Sequence, residues 1–485
     1  MTAFLGKNRF QSARSPRTPV RGRLRTYRTF WSALWLGLIL LLGGAWSVPA
    51  AARDRRIPNF IVILADDMGY GDLGSYGATR HRTPNLDRMA AEGVRLTSFY
   101  APSPVCTASR ASLLTGCYAR RVGMHKDVQN RLVLYPGSPT GLNPEEVTIA
   151  EALKPAGYAT AIIGKWHLGD QPEFLPTRQG FDYYFGLPYP NNMGVKNPRH
   201  KFPPLPVLRG ETVIETEPDQ AYLTKRYTEE AIAFIEKNRN RPFFLFLAHT
   251  MPHDPLAVSP RFAGKSNNGL YGDVIEELDW SVGEILKTVA RLKIDDQTLI
   301  LFTSDNGGDE RRPGTNGPLR GGKMSTFEGG LRVPCIIRWP GKLRGGQVCD
   351  ELTTGLDLMP TFLRLAGVPL PSDRIIDGVD IWPVLSSCAP SPRKVFYYYA
   401  LGDLQAVRAG KWKLHVSPKA SPELYDLVQD VGETTDVASQ SPGVVRRLQE
   451  LLEQAKEDIG DGARQGKNQR APGLVEQPRF LTSPE

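Results

Sequence analysis

Residues 1–52 contain no aspartate or glutamate, no cysteine and no adjacent Arg-Arg pair. The missing cysteine leaves nothing to lipidate, and the missing arginine pair favours the general export route over the twin-arginine route. What this stretch does hold is eight cations (Lys7, Arg9, Arg14, Arg17, Arg21, Arg23, Arg25 and Arg28), an apolar run over residues 30–46, and Ala50-Ala51-Ala52. That order reads as a signal peptide or N-terminal anchor. The run is short for a spanning helix, so membrane association is expected only if the segment stays uncleaved. The expected location is periplasmic or extracellular. Of the formal charge of +9, eight units lie in this leader, so the rest of the chain lacks the basic excess that nucleic-acid binding needs.

Histidine is scarce, at seven, and cysteine scarcer, at five. Setting Cys106 aside leaves Cys117, Cys335, Cys349 and Cys388. In an oxidising compartment these could form two disulfides, with Cys335–Cys349 one candidate pair, or stay as small buried thiols. No internal repeat is evident. With 485 residues the chain is large enough for a substantial core, and its 40 prolines and 47 glycines point to prominent loops.

Three short apolar runs end in polar residues. Residues 59–64 lead into Asp66 and Asp67, residues 242–248 into His249 and His253, and residues 298–303 into Ser304, Asp305 and Asn306. Each reads as a buried strand. Between them lie helix signals: Thr83-Pro84 opens a helix closing near Gly93, Thr148 with Glu151 forms a capping box, and Val274, Leu278, Val282, Ile285, Val289 and Leu292 make an apolar stripe. Alternating strands and helices predict an α/β fold with a largely parallel sheet, whose polar strand ends would converge. Residues 170–225, with nine prolines, are too long for a simple connection and are expected to line a site or to be flexible.

From about residue 390 the pattern changes to short β-rich segments at 395–400, 404–409, 411–415 and 424–427, followed by an amphipathic helix at 444–459. The expected organisation is a leader over 1–52, a catalytic domain over 57–388, a small antiparallel subdomain over 389–460, and a poorly ordered tail over 461–485.

The stretch Cys106-Thr107-Ala108-Ser109-Arg110, continuing Ala111-Ser112-Leu113-Leu114-Thr115-Gly116, carries the strongest functional signal. A C-x-A-x-R string alone occurs by chance, and Cys106 alone could be an ordinary buried cysteine. This string, however, resembles the sites at which sulfatases convert cysteine to formylglycine. Residues 157–169, ending Gly164-Lys165-Trp166-His167-Leu168-Gly169, resemble that family's second signature. Further similarity covers Ala65-Asp66-Asp67-Met68-Gly69, Ser304-Asp305-Asn306-Gly307, Gly322-Lys323, Glu328-Gly329-Gly330 and Leu424-Tyr425-Asp426-Leu427, spanning most of residues 57–440.

The resemblance implies an alkaline-phosphatase-like fold and hydrolysis of sulfate monoesters, either aryl sulfates or sulfated carbohydrates. An unmodified thiol attacking sulfur would stall as a thiosulfate-like adduct. A hydrated aldehyde offers one hydroxyl for attack and a second whose deprotonation expels sulfate. Asp66, Asp67, Asp305 and Asn306, with the modified Cys106, are the implied metal ligands, and hard oxygen donors suit Ca²⁺ or, less well, Mg²⁺. Cys106 would sit at a helix N-terminus, where backbone N–H groups favour an anion. Arg110 would hold the hydrated aldehyde, and Lys165 and Lys323 the sulfate oxygens. Lys323 or His253 would protonate the leaving group, with His249 the alternative to His253, and His167 would act as base in the elimination. The implied partners are a sulfated small molecule or glycan and a maturation enzyme, of formylglycine-generating or radical type.

Three positions depart from the family pattern. Pro190 replaces a serine, with Asn191 or Asn192 as possible substitutes. Cys117 stands where a cation often follows Thr-Gly, and Ala108 where proline is commoner. Two other readings remain open: a phosphonate or phosphate monoester hydrolase of the same superfamily, and a silent sulfated-glycan-binding protein if Cys106 is not converted.

Overall fold

The computed structural model describes residues 57–417 and 420–481; the leader expected at 1–52 lies outside the described residues. Ten strands form the main sheet: β1 (Asn59–Ala65), β2 (Val94–Leu96), β3 (Ala159–Gly164), β4 (Tyr183–Gly186), β5 (Pro206–Arg209), β6 (Thr212–Thr216), β7 (Phe243–Ala248), β8 (Thr298–Ser304), β9 (Cys335–Arg338) and β10 (Gln347–Cys349). Their order is β10-β2-β9-β8-β1-β7-β3-β4-β5-β6. The central block β8-β1-β7-β3-β4 is parallel throughout, with antiparallel strands toward both edges. The predicted α/β architecture is therefore present, and the three predicted strands β1, β7 and β8 are immediate neighbours at its centre.

Strand β1 shows why its run is uniformly apolar: it is covered on both faces. Phe60, Val62 and Leu64 enter one core with Leu113 and Leu114 of α2 (Cys106–Thr115, which follows α1 at Pro84–Glu92) and Leu358 and Phe362 of a helix at Leu358–Ala366. Ile61, Ile63 and Ala65 enter the other, with Tyr227 and Ile235 of the helix Leu223–Asn238 and Leu278, Val282 and Ile285 of the helix Gly269–Arg291. Each buried side chain of this size stabilises the fold by about 1.5–3 kcal/mol. The predicted helix starts hold, with Pro84–Glu92 behind Thr83 and a complete Thr148/Glu151 capping box.

The region 170–225 is less irregular than its prolines suggest. It supplies β4, β5 and β6 at one sheet edge, while residues 191–199 line a cleft.

A separate four-stranded antiparallel sheet, β11 (Val395–Ala400), β12 (Asp403–Ala409), β13 (Trp412–Ser417) and β14 (Ala420–Asp426), carries the C-terminal segments in sequence order. The helix Pro442–Asp458 packs Leu448, Leu452 and Ala455 against it. Glu328 joins this sheet to the larger α/β part. Its carboxylate, fully buried, accepts from Lys413 Nζ and Tyr398 OH, each at 2.9 Å, and from Tyr100 OH.

Two expectations are corrected. The disulfide is Cys349–Cys388, with Cα atoms 5.7 Å apart, and Cys335 is a free buried thiol. Cys335 and Cys349 are both partners of Leu96, on opposite sides of β2. Two strand spacings, roughly 9.5 Å, exceed the reach of a disulfide.

The segment 461–481 is also not a loose tail. Gly473–Leu474 pairs antiparallel with Thr140–Gly141, Arg470 N donates to Arg121 O at 2.6 Å, and the Arg470 guanidinium meets buried Glu146 at 2.6 Å. Main-chain pairing and a buried counter-charge hold a segment whose composition alone suggests solvent.

Candidate active site

The C-terminal ends of β1, β3, β7 and β8 meet the N-terminus of α2. Asp66 and Asp67 follow β1 directly. Asp67 takes a left-handed backbone conformation (φ 65°), and its N–H donates to Asp305 Oδ1 at 3.2 Å. Met68 N donates to Ser304 Oγ at 2.9 Å, so the two strand ends are tied by main-chain to side-chain bonds.

Cys106 is the first residue of α2 and is buried. Its Sγ lies 3.4 Å from Asp66 Oδ1, 3.9 Å from Asp67 Oδ1 and 3.8 Å from Lys323 Nζ. Ligand-capable atoms of Asp66, Asp67, Cys106 and Asp305 all lie within 4.8 Å of one another. Burial and the neighbouring Asp66 carboxylate push the Cys106 thiol well up from its ordinary range, outweighing Lys165 and Lys323.

Cations offset the carboxylates. Arg110, one turn into α2, donates from Nε to Asp305 Oδ2 at 3.0 Å and from Nη1 to the Lys165 carbonyl at 2.6 Å, and its Nη2 lies 3.4 Å from Asp66 Oδ2. Lys165, immediately after β3, reaches Asp66 Oδ2 at 2.5 Å. The preceding Gly164 (φ +111°) permits this approach, because a Cβ there would lie 1.8 Å from the Ala248 carbonyl oxygen. Lys323 Nζ donates to Asp67 Oδ2 at 2.6 Å. Burial would raise the Asp67 carboxyl, but Lys323 and His253 hold it below the usual range. Burial and Asp66 push Asp305 up.

Asn306 donates from Nδ2 to Asp67 Oδ1 at 2.7 Å, leaving its buried Oδ1 without a hydrogen-bond partner. His253 Nε2 lies 3.8 Å from Asp67 Oδ2, with Nδ1 2.7 Å from the Asp254 carbonyl oxygen. His167, also in a positive-φ conformation, is held through Nε2 by the Leu134 carbonyl at 3.0 Å, leaving a buried Nδ1 without a partner. Burial lowers both imidazoles, helped by Lys165 at His167 and by Lys323 at His253. His249, the alternative to His253, turns to Ser281 Oγ at 3.2 Å.

The departures have structural counterparts. After Pro190, Asn191 donates to Gln220 Oε1 at 2.9 Å and to the Pro255 carbonyl at 3.1 Å, beside a cleft that also reaches Asp67, His253 and Lys323. Cys117 Sγ is met by Arg470 Nη2 at 3.4 Å, so a cation from the C-terminal segment stands beside the position where a local one is missing. Gln220 and Arg470 had no signal in the sequence, since each reaches its place through a long-range fold contact.

Carboxylates and ammonium groups gathered around one buried residue, at the ends of parallel strands, define a hydrolase of the alkaline-phosphatase-like class acting on anionic esters. The family model described as Sulfatase matches residues 58–368, and that described as N-sulphoglucosamine sulphohydrolase, C-terminal, matches residues 322–458. The chain is 42% identical over 396 residues to N-acetylgalactosamine-6-sulfatase of Canis lupus familiaris, covering 78% of this chain and 75% of that one. It is 38% identical over 457 residues to arylsulfatase A of Homo sapiens, covering 84% and 89%. Among solved structures, PsFucS1 sulfatase from Pseudoalteromonas sp. superposes with a TM-score of 0.75 at 30% identity, covering 83% of this chain and 90% of that one. Phosphonate monoester hydrolase of Agrobacterium radiobacter shares the fold, with a TM-score of 0.59 at 20% identity over 82% of this chain and 95% of that one. The chain belongs to the sulfatase family and is a sulfuric ester hydrolase.

Proposed function

We propose that this enzyme hydrolyses sulfate monoesters of carbohydrates or aryl alcohols through a formylglycine made from Cys106, with one divalent cation at Asp66, Asp67, Asp305 and Asn306. The observation that carries this reading is the placement of Cys106 Sγ 3.4 Å from Asp66 Oδ1 and 3.8 Å from Lys323 Nζ, at the start of α2.

The residues fit a hard cation. The donor set is oxygen-rich, the ligand atoms of Asp66, Asp67 and Asp305 converge, and neighbouring Asn306 has a buried Oδ1 without a partner. Ca²⁺ is the preferred ion, since several carboxylates and an amide oxygen suit its larger, flexible coordination. When bound, it would offset two of the three negative charges of the carboxylates and draw charge from the sulfuryl oxygens. The formylglycine hydrate would supply the attacking hydroxyl.

The side chains around it then have distinct roles. Arg110, rigidly held by Asp305, orients the residue at 106. Lys165 and Lys323, freed from neutralising Asp66 and Asp67 alone, bind the sulfuryl oxygens and stabilise charge that builds up on them. His253 or Lys323 gives a proton to the departing alcohol oxygen. His167, with Nδ1 unpartnered and its ring lowered by burial, is neutral at pH 7 and accepts the proton whose loss expels sulfate. The maturation enzyme that would read Cys106–Arg110 is of the formylglycine-generating or radical type.

Export to the periplasm or outside the cell accords with the N-terminal sequence and with the Cys349–Cys388 disulfide. The deciding experiment is the mass of the tryptic peptide spanning residues 96–110, from protein made with and without a maturation enzyme. Activity on an aryl sulfate should rise with the lighter, aldehyde-bearing fraction and be absent from Cys106→Ala. Full activity in protein whose peptide retains the thiol mass would overturn the mechanism.

A further inference from the structure

The cleft above the reaction centre has a volume of about 670 Å³ and continues from Asp67, His253 and Lys323 out to the loop 191–199. That is within the range of clefts that enclose drug-sized ligands, with room beyond the reacting sulfate. Polar and apolar groups share its walls about equally, and four exposed cations stand along it: Lys196, Arg199, Arg311 and Arg312.

These cations differ in one decisive respect. Arg311 is held by Asp309, with Nη2 2.6 Å from Oδ2, and Arg312 is paired with Asp254. Glu217 is spent on main-chain amides, accepting from Val195 N at 3.1 Å and Leu205 N at 2.7 Å. Lys196 and Arg199, both exposed, have no carboxylate partner among the described residues.

The loop that carries them is nevertheless fixed. Asn197 donates from Nδ2 to the Asn192 carbonyl at 2.7 Å, and its Oδ1 accepts from Arg199 N at 2.8 Å and His200 N at 2.9 Å. Two unpaired cations on a braced loop cost little further backbone ordering when a ligand arrives. Closer to the centre, Asn191 and Asn192 line the same cleft, and each has a buried Oδ1 without a partner. Such acceptors suit hydroxyl donors, which a sugar ring supplies and a hydrocarbon skeleton does not.

From this arrangement we infer that Lys196 and Arg199 form a second anion subsite, and that the natural substrate is an oligosaccharide with a further negative charge on the sugar adjoining the sulfated one. The inference rests on the sulfatase reading of the site and names its substrate class. The second charge is a carboxylate or a sulfate, both of which accept charge-assisted hydrogen bonds from ammonium and guanidinium groups.

The test compares wild type with the double variant Lys196→Ala/Arg199→Ala. The probes are 4-nitrophenyl sulfate and two disaccharides, one with a uronate carboxylate beside the sulfated sugar and one with a second sulfate there. The ratio of kcat/KM for a doubly charged disaccharide to that for the aryl sulfate should fall about 10- to 100-fold in the variant. The disaccharide showing the larger fall identifies the charge. An unchanged ratio for both disaccharides overturns the subsite.

Calorimetric binding in a Cys106→Ala background gives a readout free of turnover. There the added double substitution should weaken disaccharide binding by at least about tenfold. Equal binding sinks the subsite, whereas failure of converted wild-type enzyme to cleave the aryl sulfate would count against the sulfatase chemistry instead.

Discussion

Lys165 Nζ lies 2.5 Å from Asp66 Oδ2, with both side chains wholly removed from solvent. A buried ion pair is weak evidence for stability on its own, since desolvating two charges offsets much of their attraction. Its position at the ends of two parallel strands, next to Cys106, suggests that the ammonium group is kept for an anion. Lys165→Met should lower kcat/KM on an aryl sulfate by roughly 10²- to 10³-fold, as loss of one preorganised donor to a developing charge commonly does. The rate must be normalised to the aldehyde content of the 96–110 peptide, so that a maturation defect is not read as a catalytic one.

Removing the proposed cation should have a larger effect. Asp66, Asp67 and Asp305 would then face one another with only Lys165, Lys323 and Arg110 as counter-charges. Exhaustive treatment with a chelator should abolish turnover and lower Tm. Ca²⁺ should restore both more fully than Mg²⁺, because ligand binding to the folded state stabilises it by mass action. Asn306→Ala should raise the Ca²⁺ concentration needed for half-maximal Tm recovery. An enzyme that keeps full activity after its metal content is shown to be nil would contradict the assignment.

The relation between sequence and site explains which parts could be read in advance. Asp66, Asp67, Asp305 and Asn306 each follow an unbroken apolar run, and a parallel sheet brings such run ends together. Cys106, Arg110, Lys165 and His167 lie in two compact motifs whose spacing is local. Asn191 was legible only as a substitute for a missing serine, and its actual partners, Gln220 and the Pro255 carbonyl, are set by loop paths without periodicity.

The disulfide and the C-terminal segment failed for a related reason. Cys335–Cys349 stood as one candidate pair because sequence does not reveal pairing, and the intervening β2 separates the two. Polar composition suggested a loose tail, but two ladder residues and Arg470 give it partners more than 300 positions away. Composition reports what a segment can bury by itself and says little about edges that another element offers it.

Acid stability should depend on Glu328. Although burial would raise it, Lys413, Arg332 and Arg408 hold this carboxyl at about 2, against an ordinary value of 4.5. A depressed carboxyl contributes stability that is complete above the unfolded value and is lost as pH falls toward the folded one. Wild-type unfolding free energy should therefore decline between about pH 4.5 and 2, beyond the decline due to other groups. Glu328→Gln should flatten that part of the profile. At pH 7 it should cost about 3–5 kcal/mol, because Lys413 stays buried with only Glu433 opposite, at 2.8 Å. Denaturant titrations at a series of pH values would reveal either behaviour.

The C-terminal segment gives a prediction that reaches the reaction centre. Arg479 N donates to Gln171 Oε1 at 2.9 Å, and Gln171 Nε2 returns a bond to the Arg479 carbonyl at 3.0 Å. Gln171 also donates to Asp170, whose other oxygen accepts from Gly137 N at 2.6 Å. The stretch that includes Gly137 also carries Leu134, whose carbonyl holds His167. The segment thus braces the loop that orients the imidazole. Truncation after Gly462 should raise hydrogen exchange across residues 134–141 and lower kcat more than it raises KM, since substrate contacts remain but His167 is less well placed. Arg470→Ala, which removes the pair with Glu146 but keeps Arg479, should reduce Tm with a much smaller effect on kcat. If truncation and Arg470→Ala change kcat equally while exchange at 134–141 stays at the wild-type level, the brace has no part in positioning His167.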